Sequence, residues 1–167
     1  DNSTPYLIFD YIEGESLDKI LKDKVKRNLS PFSLADACQQ IVIPVAKALA
    51  HIHKNGIFHR DLKPANIMIR VEDRVPFIAD FGLAKICSED GLTNTGETFG
   101  TPAYMSIDQI TAESPQADTD IWALGVILFE LITHQRPFVG QTVFAVSNSI
   151  ISESHLVANE INPSLSP

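Results

Sequence analysis

The sequence predicts a mainly α-helical chain carrying a few short strands, on three observations. Apolar residues recur at helical spacing after Ser33, at Cys38, Ile41, Val45, Ala48, Leu49 and Ile52. Asp118 to His134 has the length of a helix and is apolar nearly all round, the pattern of a helix buried in the middle of a domain. The strand-like runs, by contrast, are short: Tyr6 to Ile12, Ile67 to Val71 and Pro76 to Ala79.

Taken in order, Tyr6 to Ile12 is rich in aromatic and β-branched residues and breaks at Glu13-Gly14, as a buried strand leading into a turn would. Ser16 to Lys26 reads as a short polar helix. Ser33, with Asp36 three residues on, resembles a capping box that uses Asp where Glu or Gln is usual, and it opens the long helix that Asn55-Gly56 ends. Pro44 inside that helix removes one backbone hydrogen bond, so a kink or a boundary between two helical pieces is expected there. A Gly/Thr/Asn-rich loop occupies roughly 83 to 105, long enough to be either functional or disordered. No internal repeat is visible.

With 167 residues the chain fits one domain and could bury roughly 70% of its unfolded surface. Its 44% apolar and 20% charged residues, with 8 Gly and 10 Pro, exclude a collagen-like or low-complexity chain. The net charge of −8 disfavours bulk electrostatic binding to nucleic acid or anionic lipid. Acidity is uneven, since residues 101 to 167 hold 7 acids against Arg136 alone. An acidic solvated face accounts for this, with attraction of basic substrates as the alternative. Cys38 and Cys87 form neither a disulfide framework nor a zinc motif, which predicts a reducing, cytoplasmic setting. The longest apolar stretch, Ile121 to Ile132, is too short for a membrane span and contains Glu130, so no membrane contact by this segment is expected. A first residue of Asp1 and a loop-like Asn-Pro-Ser-Leu-Ser-Pro ending suggest a piece of something longer.

The chemistry concentrates in His59-Arg60-Asp61-Leu62-Lys63-Pro64-Ala65-Asn66, followed 14 residues after Asn66 by Asp80-Phe81-Gly82. Phosphoryl transfer needs a carboxylate to orient an attacking hydroxyl, a cation near the phosphate, and oxygen ligands for magnesium. Asp61, Lys63, Asn66 and Asp80 supply those parts. His51 and His53, two residues apart near a helix end, face different directions and make a poor metal pair.

These motifs, with Gly100-Thr101-Pro102-Ala103-Tyr104 and Asp120-Ile121-Trp122-Ala123-Leu124-Gly125, resemble those of eukaryotic-like serine/threonine protein kinases of the bacterial Hanks type. The resemblance covers nearly the whole chain. It implies an α+β family fold, of which this chain would be the mainly α-helical C-lobe plus the hinge strand, with the N-lobe absent. Residues 1–167 are then a partial protein kinase domain, with hinge 9–14, catalytic loop 59–66, activation segment 80–108 and a central buried helix at about 118–134.

Position by position, the resemblance makes Asp61 the catalytic base, Lys63 the phosphate-contacting lysine, Asn66 the second-metal ligand and Asp80 the principal metal ligand. The cofactors implied are ATP and Mg2+, with Mn2+ as an alternative. Lys63 marks the serine/threonine branch. Thr101 would hydrogen-bond the base and the lysine, and Tyr104 would help shape the pocket for the residue after the acceptor. Phe9 stands at the gatekeeper position, and backbone groups of Asp10 and Ile12 would pair with adenine. Ser16 is either a ribose contact or a helix cap, and Met68 either packs beneath adenine or fills the core. His59 and Phe81 resemble members of a buried spine. Asp120 resembles the carboxylate that accepts hydrogen bonds from the catalytic-loop backbone.

Arg60, beside the base, resembles an arginine neutralised by a phosphate on the long loop, for which Thr93, Thr95 and Thr98 are candidates, with autophosphorylation expected at Thr93 or Thr95. The partners implied are proteins with Ser/Thr acceptors, not nucleic acid, with dimerisation a route to autophosphorylation in trans; the parent protein could be membrane-anchored. Ser106-Ile107-Asp108 departs from the usual Ala-Pro-Glu, and the helix bearing the usual arginine partner is missing, so a destabilised C-terminal edge with exposed apolar surface is expected. No Gly-x-Gly-x-x-Gly occurs, which predicts negligible turnover by the isolated chain. A pseudokinase or scaffold, and a small-molecule phosphotransferase, are the alternatives.

Overall fold

The computed structural model describes residues 10–80, 102–111 and 117–165. Three short strands form one antiparallel sheet in the order β1 (Gly14–Ser16), β2 (Ile67–Arg70) and β3 (Pro76–Ile78). Helices α1 (Leu17–Lys26), α2 (Leu34–Asp36), α3 (Ile43–Lys54), α4 (Ile107–Ile110), α5 (Ala117–Thr133), α6 (Val143–Ile151) and α7 (Ala158–Ile161) supply most of the remaining regular structure among the described residues.

Residues 1–9, including Phe9 and most of the expected Tyr6 to Ile12 strand, lie outside the described residues, and 10–12 are irregular. Among the described residues a strand begins at the residue read as a turn: Gly14 pairs with Arg70, and a Cβ there would stand 2.5 Å from the Ile69 carbonyl oxygen. Glycine at this position permits close strand approach rather than a turn.

Ser16 ends β1 and caps α1, its side chain accepting from Lys19 N at 3.3 Å. Ser33 caps α2 by accepting from Asp36 N at 3.0 Å, but the box is not reciprocal in the usual way. The Asp36 carboxylate is too short to reach back to the cap backbone and accepts the Ser33 hydroxyl at 2.7 Å instead. Between α2 and α3 the chain makes a π-helical turn, Ala37–Val42, which places Pro44 in the first turn of α3. Helical backbone continues on both sides through Val42 and Ile43, and the proline falls at the boundary between two helical pieces, as expected. The wider turn also changes which residues face inward. Ala37 is fully buried where Cys38 is half-buried, and Ala48, expected on the apolar face, is exposed. Gly56, in the left-handed region at φ +71, closes the helix.

Helix α5 stands between two cores. On one side Leu124, Ile127 and Leu131 pack with Leu17, Ile41, Leu49, Ile67 and Ile69; on the other Val126 packs with Ala103, Phe138, Val146 and Ile150. A third stripe, with Ile121 exposed, borders an open apolar groove walled by Trp122, Phe129 and Phe138. Nearby Val139, Val143 and Phe144 are exposed, Phe144 at 81%, as the expectation of uncovered apolar surface had it. Among the described residues, no helix is long and apolar enough to cross a membrane.

Candidate active site

The loop 59–66 joins the end of the α3 region to β2, and alternate side chains pin it to the core. His59 and Leu62 are buried, and Asn66, last residue of the 3-10 turn Pro64–Asn66, is 5% exposed. Asp61 and Lys63 between them keep their side chains over a third exposed. A loop held this way presents two charged groups to solvent on a rigid base.

The geometry joins three of the four residues expected to carry chemistry. Lys63 Nζ lies 2.8 Å from Asp61 Oδ2, and Asn66 Nδ2 donates to the Asp61 carbonyl at 2.8 Å and to Oδ2 at 3.3 Å. Both side-chain contacts fall on Oδ2, leaving Oδ1 of Asp61 turned to neither. The Asn66 side-chain nitrogen is thus committed to Asp61. Asp80 follows β3 in the left-handed region at φ +53, its side chain exposed. The residue before it ties it to the same loop, because Ala79 N donates to the Asn66 carbonyl at 2.8 Å and His59 Nε2 donates to the Ala79 carbonyl at 3.0 Å. A ring nitrogen facing a carbonyl must carry the proton, so Nδ1 of His59 is the acceptor for Asp61 N at 3.3 Å.

Beneath the loop lies Asp120, fully buried in the first turn of α5. Its Oδ2 accepts from His59 N at 2.9 Å, its Oδ1 from Arg60 N at 2.8 Å, and His53 Nε2 sits 2.8 Å from Oδ2. The backbone role expected of Asp120 is thus seen directly. His53, set aside as a metal ligand, is a partner of this carboxylate, while His51 is exposed. Among the described residues no group of three or more His, Cys, Asp or Glu side chains forms a metal cluster.

Arg60 takes the left-handed conformation at φ +63, uncommon for a long side chain. Its guanidinium lies 5.8 Å over the Phe58 ring, and its Nε is buried with no hydrogen-bond partner among the described residues. The Arg60 carbonyl accepts from Gln109 Nε2 at 2.7 Å, a contact that no sequence motif marked. Gln109 also completes a capping box with Ser106 at the start of α4.

Ser16 and Met68, expected around a nucleotide, are paired across β1 and β2. The Ser16 hydroxyl is already the cap of α1 and Met68 is half-buried, while Asp10 is exposed and Ile12 half-buried in the irregular lead-in. Thr93, Thr95, Thr98, Thr101 and Phe81 lie outside the described residues.

Tyr104, in the 3-10 turn Pro102–Tyr104, points its hydroxyl inward to Glu130 Oε2. Arg136 stands 5.7 Å over the same ring with its Nε 3.7 Å from Glu130 Oε1. Asp108, in the first turn of α4, has no ion-pair partner among the described residues; Arg136 is spent on Glu130. Burial first, and then the Glu130 carboxylate, hold the Tyr104 phenol well above its ordinary 10.0. A group whose folded value is raised contributes stability present below the unfolded value and lost as pH rises past it. Stability should therefore fall above pH 10.0 in part through Tyr104. Tyr104→Phe should remove that part of the alkaline dependence and lower stability at neutral pH by about 1.5–3 kcal/mol, because Glu130 loses a donor. Urea unfolding of both proteins at neutral pH and above pH 10.0 checks this.

Comparison with known proteins adds the following. The family model described as protein kinase domain matches residues 1–166. A probable serine/threonine-protein kinase of Clostridium acetobutylicum is 33% identical over 162 residues, covering 97% of this chain and 24% of that protein. One of Corynebacterium efficiens is 36% identical over 167 residues, 99% of this chain and 24% of that protein. The serine/threonine-protein kinase PknB of Mycobacterium tuberculosis is 36% identical over 155 residues, 89% of this chain and 23% of its own length. The chain spans about a quarter of the length of these curated relatives.

Proposed function

The chain belongs to the protein kinase domain family, and from that premise we propose that it carries the hinge and C-lobe of a kinase that moves the γ-phosphate of ATP to Ser and Thr hydroxyls of proteins. The family uses ATP with a divalent metal and acts on protein substrates. One observation carries the reading: Asp61, Lys63 and Asn66 converge on a rigid loop, with one carboxylate oxygen of Asp61 turned away from both partners.

In this reading Asp61 accepts the proton of the acceptor hydroxyl and orients its oxygen toward the phosphorus. Lys63 places its charge beside the phosphate that transfers. Asn66 Oδ1 and the Asp80 carboxylate would hold Mg2+, whose preference for a few hard oxygens completed by water and phosphate suits an amide and a carboxylate. That ion, when bound, neutralises the phosphate oxygens. The Asp10 and Ile12 backbone would take adenine, with Met68 beneath it. Ser16, committed to capping α1, contributes to the ribose side only through its remaining hydroxyl proton.

The finer boundaries are part of the proposal: hinge 9–14, catalytic loop 59–66, activation segment 80–108 and central helix near 118–134. Thr101 and Tyr104 would line the acceptor pocket. The buried Arg60 Nε supports a role for Arg60 in meeting a phosphate on Thr93, Thr95 or Thr98. The 167 residues contain no Gly-x-Gly-x-x-Gly, so the clamp over the phosphates must come from other sequence, and this segment alone should turn over negligibly.

The test is phosphate transfer by the protein carrying this chain, with γ-labelled ATP, a divalent metal and a basic mixed-sequence protein acceptor. Label recovered on serine and threonine is the expected result. Label on small alcohols alone, or ATP binding with no transfer, would replace the reading with a small-molecule phosphotransferase or a scaffold.

A further inference from the structure

The side-chain amide of Gln109 is used at both ends. Its Oε1 accepts from Ser106 N at 3.2 Å, closing the cap of α4, and its Nε2 donates to the Arg60 carbonyl at 2.7 Å across 49 residues of sequence. That carbonyl belongs to the peptide linking Arg60 to Asp61. A planar peptide has two polar handles, and fixing them fixes the direction in which the next residue's Cα projects. Here the oxygen is held by Gln109 at 2.7 Å and the N–H by His59 Nδ1 at only 3.3 Å. The preceding peptide is held at the Arg60 N–H by Asp120. Arg60 thus keeps its left-handed φ because both of its own polar backbone groups are engaged, one from α5 and one from α4.

We propose that Gln109 is a positioning residue for phosphate transfer: it sets the plane of the Arg60–Asp61 peptide, and so the aim of the Asp61 carboxylate. It does so from the segment that also bears Tyr104, coupling the acceptor side of the site to the base. Ser106 fastens that segment in turn, its Oγ lying 3.4 Å from Thr119 Oγ1 on α5. The proposal rests on the kinase reading of Asp61.

The chemistry of the two amide ends separates this role from a merely structural one. Glutamate keeps an oxygen for Ser106 N, so α4 stays capped, but it turns a second oxygen on the Arg60 carbonyl where a donor is needed. Alanine removes both contacts. In the protein carrying this chain, Gln109→Glu is expected to lower kcat for a peptide acceptor about tenfold, the scale of one lost hydrogen bond, with KM for ATP nearly unchanged and α4 still capped. Gln109→Ala should lose as much kcat and some stability besides. Amide exchange at Asp61 should quicken in both.

A wild-type kcat in Gln109→Glu, or a loss confined to KM, overturns the proposal while leaving the kinase reading intact. If wild type shows no Asp61-dependent transfer, the kinase reading fails instead. Asp61 amide exchange then decides alone whether Gln109 holds the loop, and unchanged exchange in Gln109→Glu overturns that too.

Discussion

Asp120→Ala should destabilise the protein by about 3–5 kcal/mol, the cost of breaking a buried network by removing its central charge. The side chain is fully buried and serves three groups: the His59 and Arg60 amides and the His53 ring. Each buried donor left without an acceptor costs about 1–3 kcal/mol. Against a total stability of 5–15 kcal/mol, typical of domains this size, the loss is a large share. Asp120→Asn should recover only part of it, because one of the two backbone amides would then face an NH2 donor. Urea unfolding with two spectroscopic probes measures the effect. A change in Asp120→Ala of under about 0.5 kcal/mol, the scale of ordinary surface substitutions, would mean that the loop is held by His59 and Leu62 alone.

The same network explains what could be read from the sequence. The meeting of Asp61, Lys63 and Asn66 was legible because they lie close together on one loop, and short spacing makes proximity in space nearly automatic. Asp120 was legible only through a family resemblance, being some 60 residues from its partners. Gln109, Glu130 and His53 were not legible as site residues. Each is an ordinary polar residue at helical spacing, and its meaning comes from a partner on another element, which no local pattern encodes. Glu130 read as an interruption in an apolar run, yet it is the acceptor for the Tyr104 hydroxyl.

In the fold, the long helix after Ser33 was predicted with the right caps but the wrong inward face at its start. A regular α period cannot know of the π-helical turn that exchanges Cys38 for Ala37 in the core. The turn read at Gly14 was misplaced for a similar reason. Gly14 carries a turn signal in isolation, and only the approach of Ile69 shows that the missing side chain makes room for a neighbour.

In the protein carrying this chain, if Asp61 is the proposed base, Asp61→Asn should cut kcat for protein phosphorylation by roughly a thousandfold, within the range assigned to a positioned base, while leaving ATP affinity and folding nearly intact. The substitution is nearly isosteric, and the main-chain bond from Asn66 to the residue 61 carbonyl does not depend on the side chain. The Asp61–Lys63 pair is over a third exposed on both sides, so its loss should cost less than about 1 kcal/mol in stability. In the proposed reading, what disappears is the acceptor for a hydroxyl proton. An amide cannot take that proton, and its neutral oxygen, left facing Lys63 and Asn66, holds the ammonium less firmly than the carboxylate now does at 2.8 Å. Because phosphoryl transfer depends on charge and position more than on covalent steps, displacing Lys63 adds to the loss. Initial rates with saturating ATP, calorimetric nucleotide titration and urea unfolding of the same two proteins separate these effects. A kcat within about tenfold of wild type would mean that Asp61 only orients the loop, and that the proton leaves by another route.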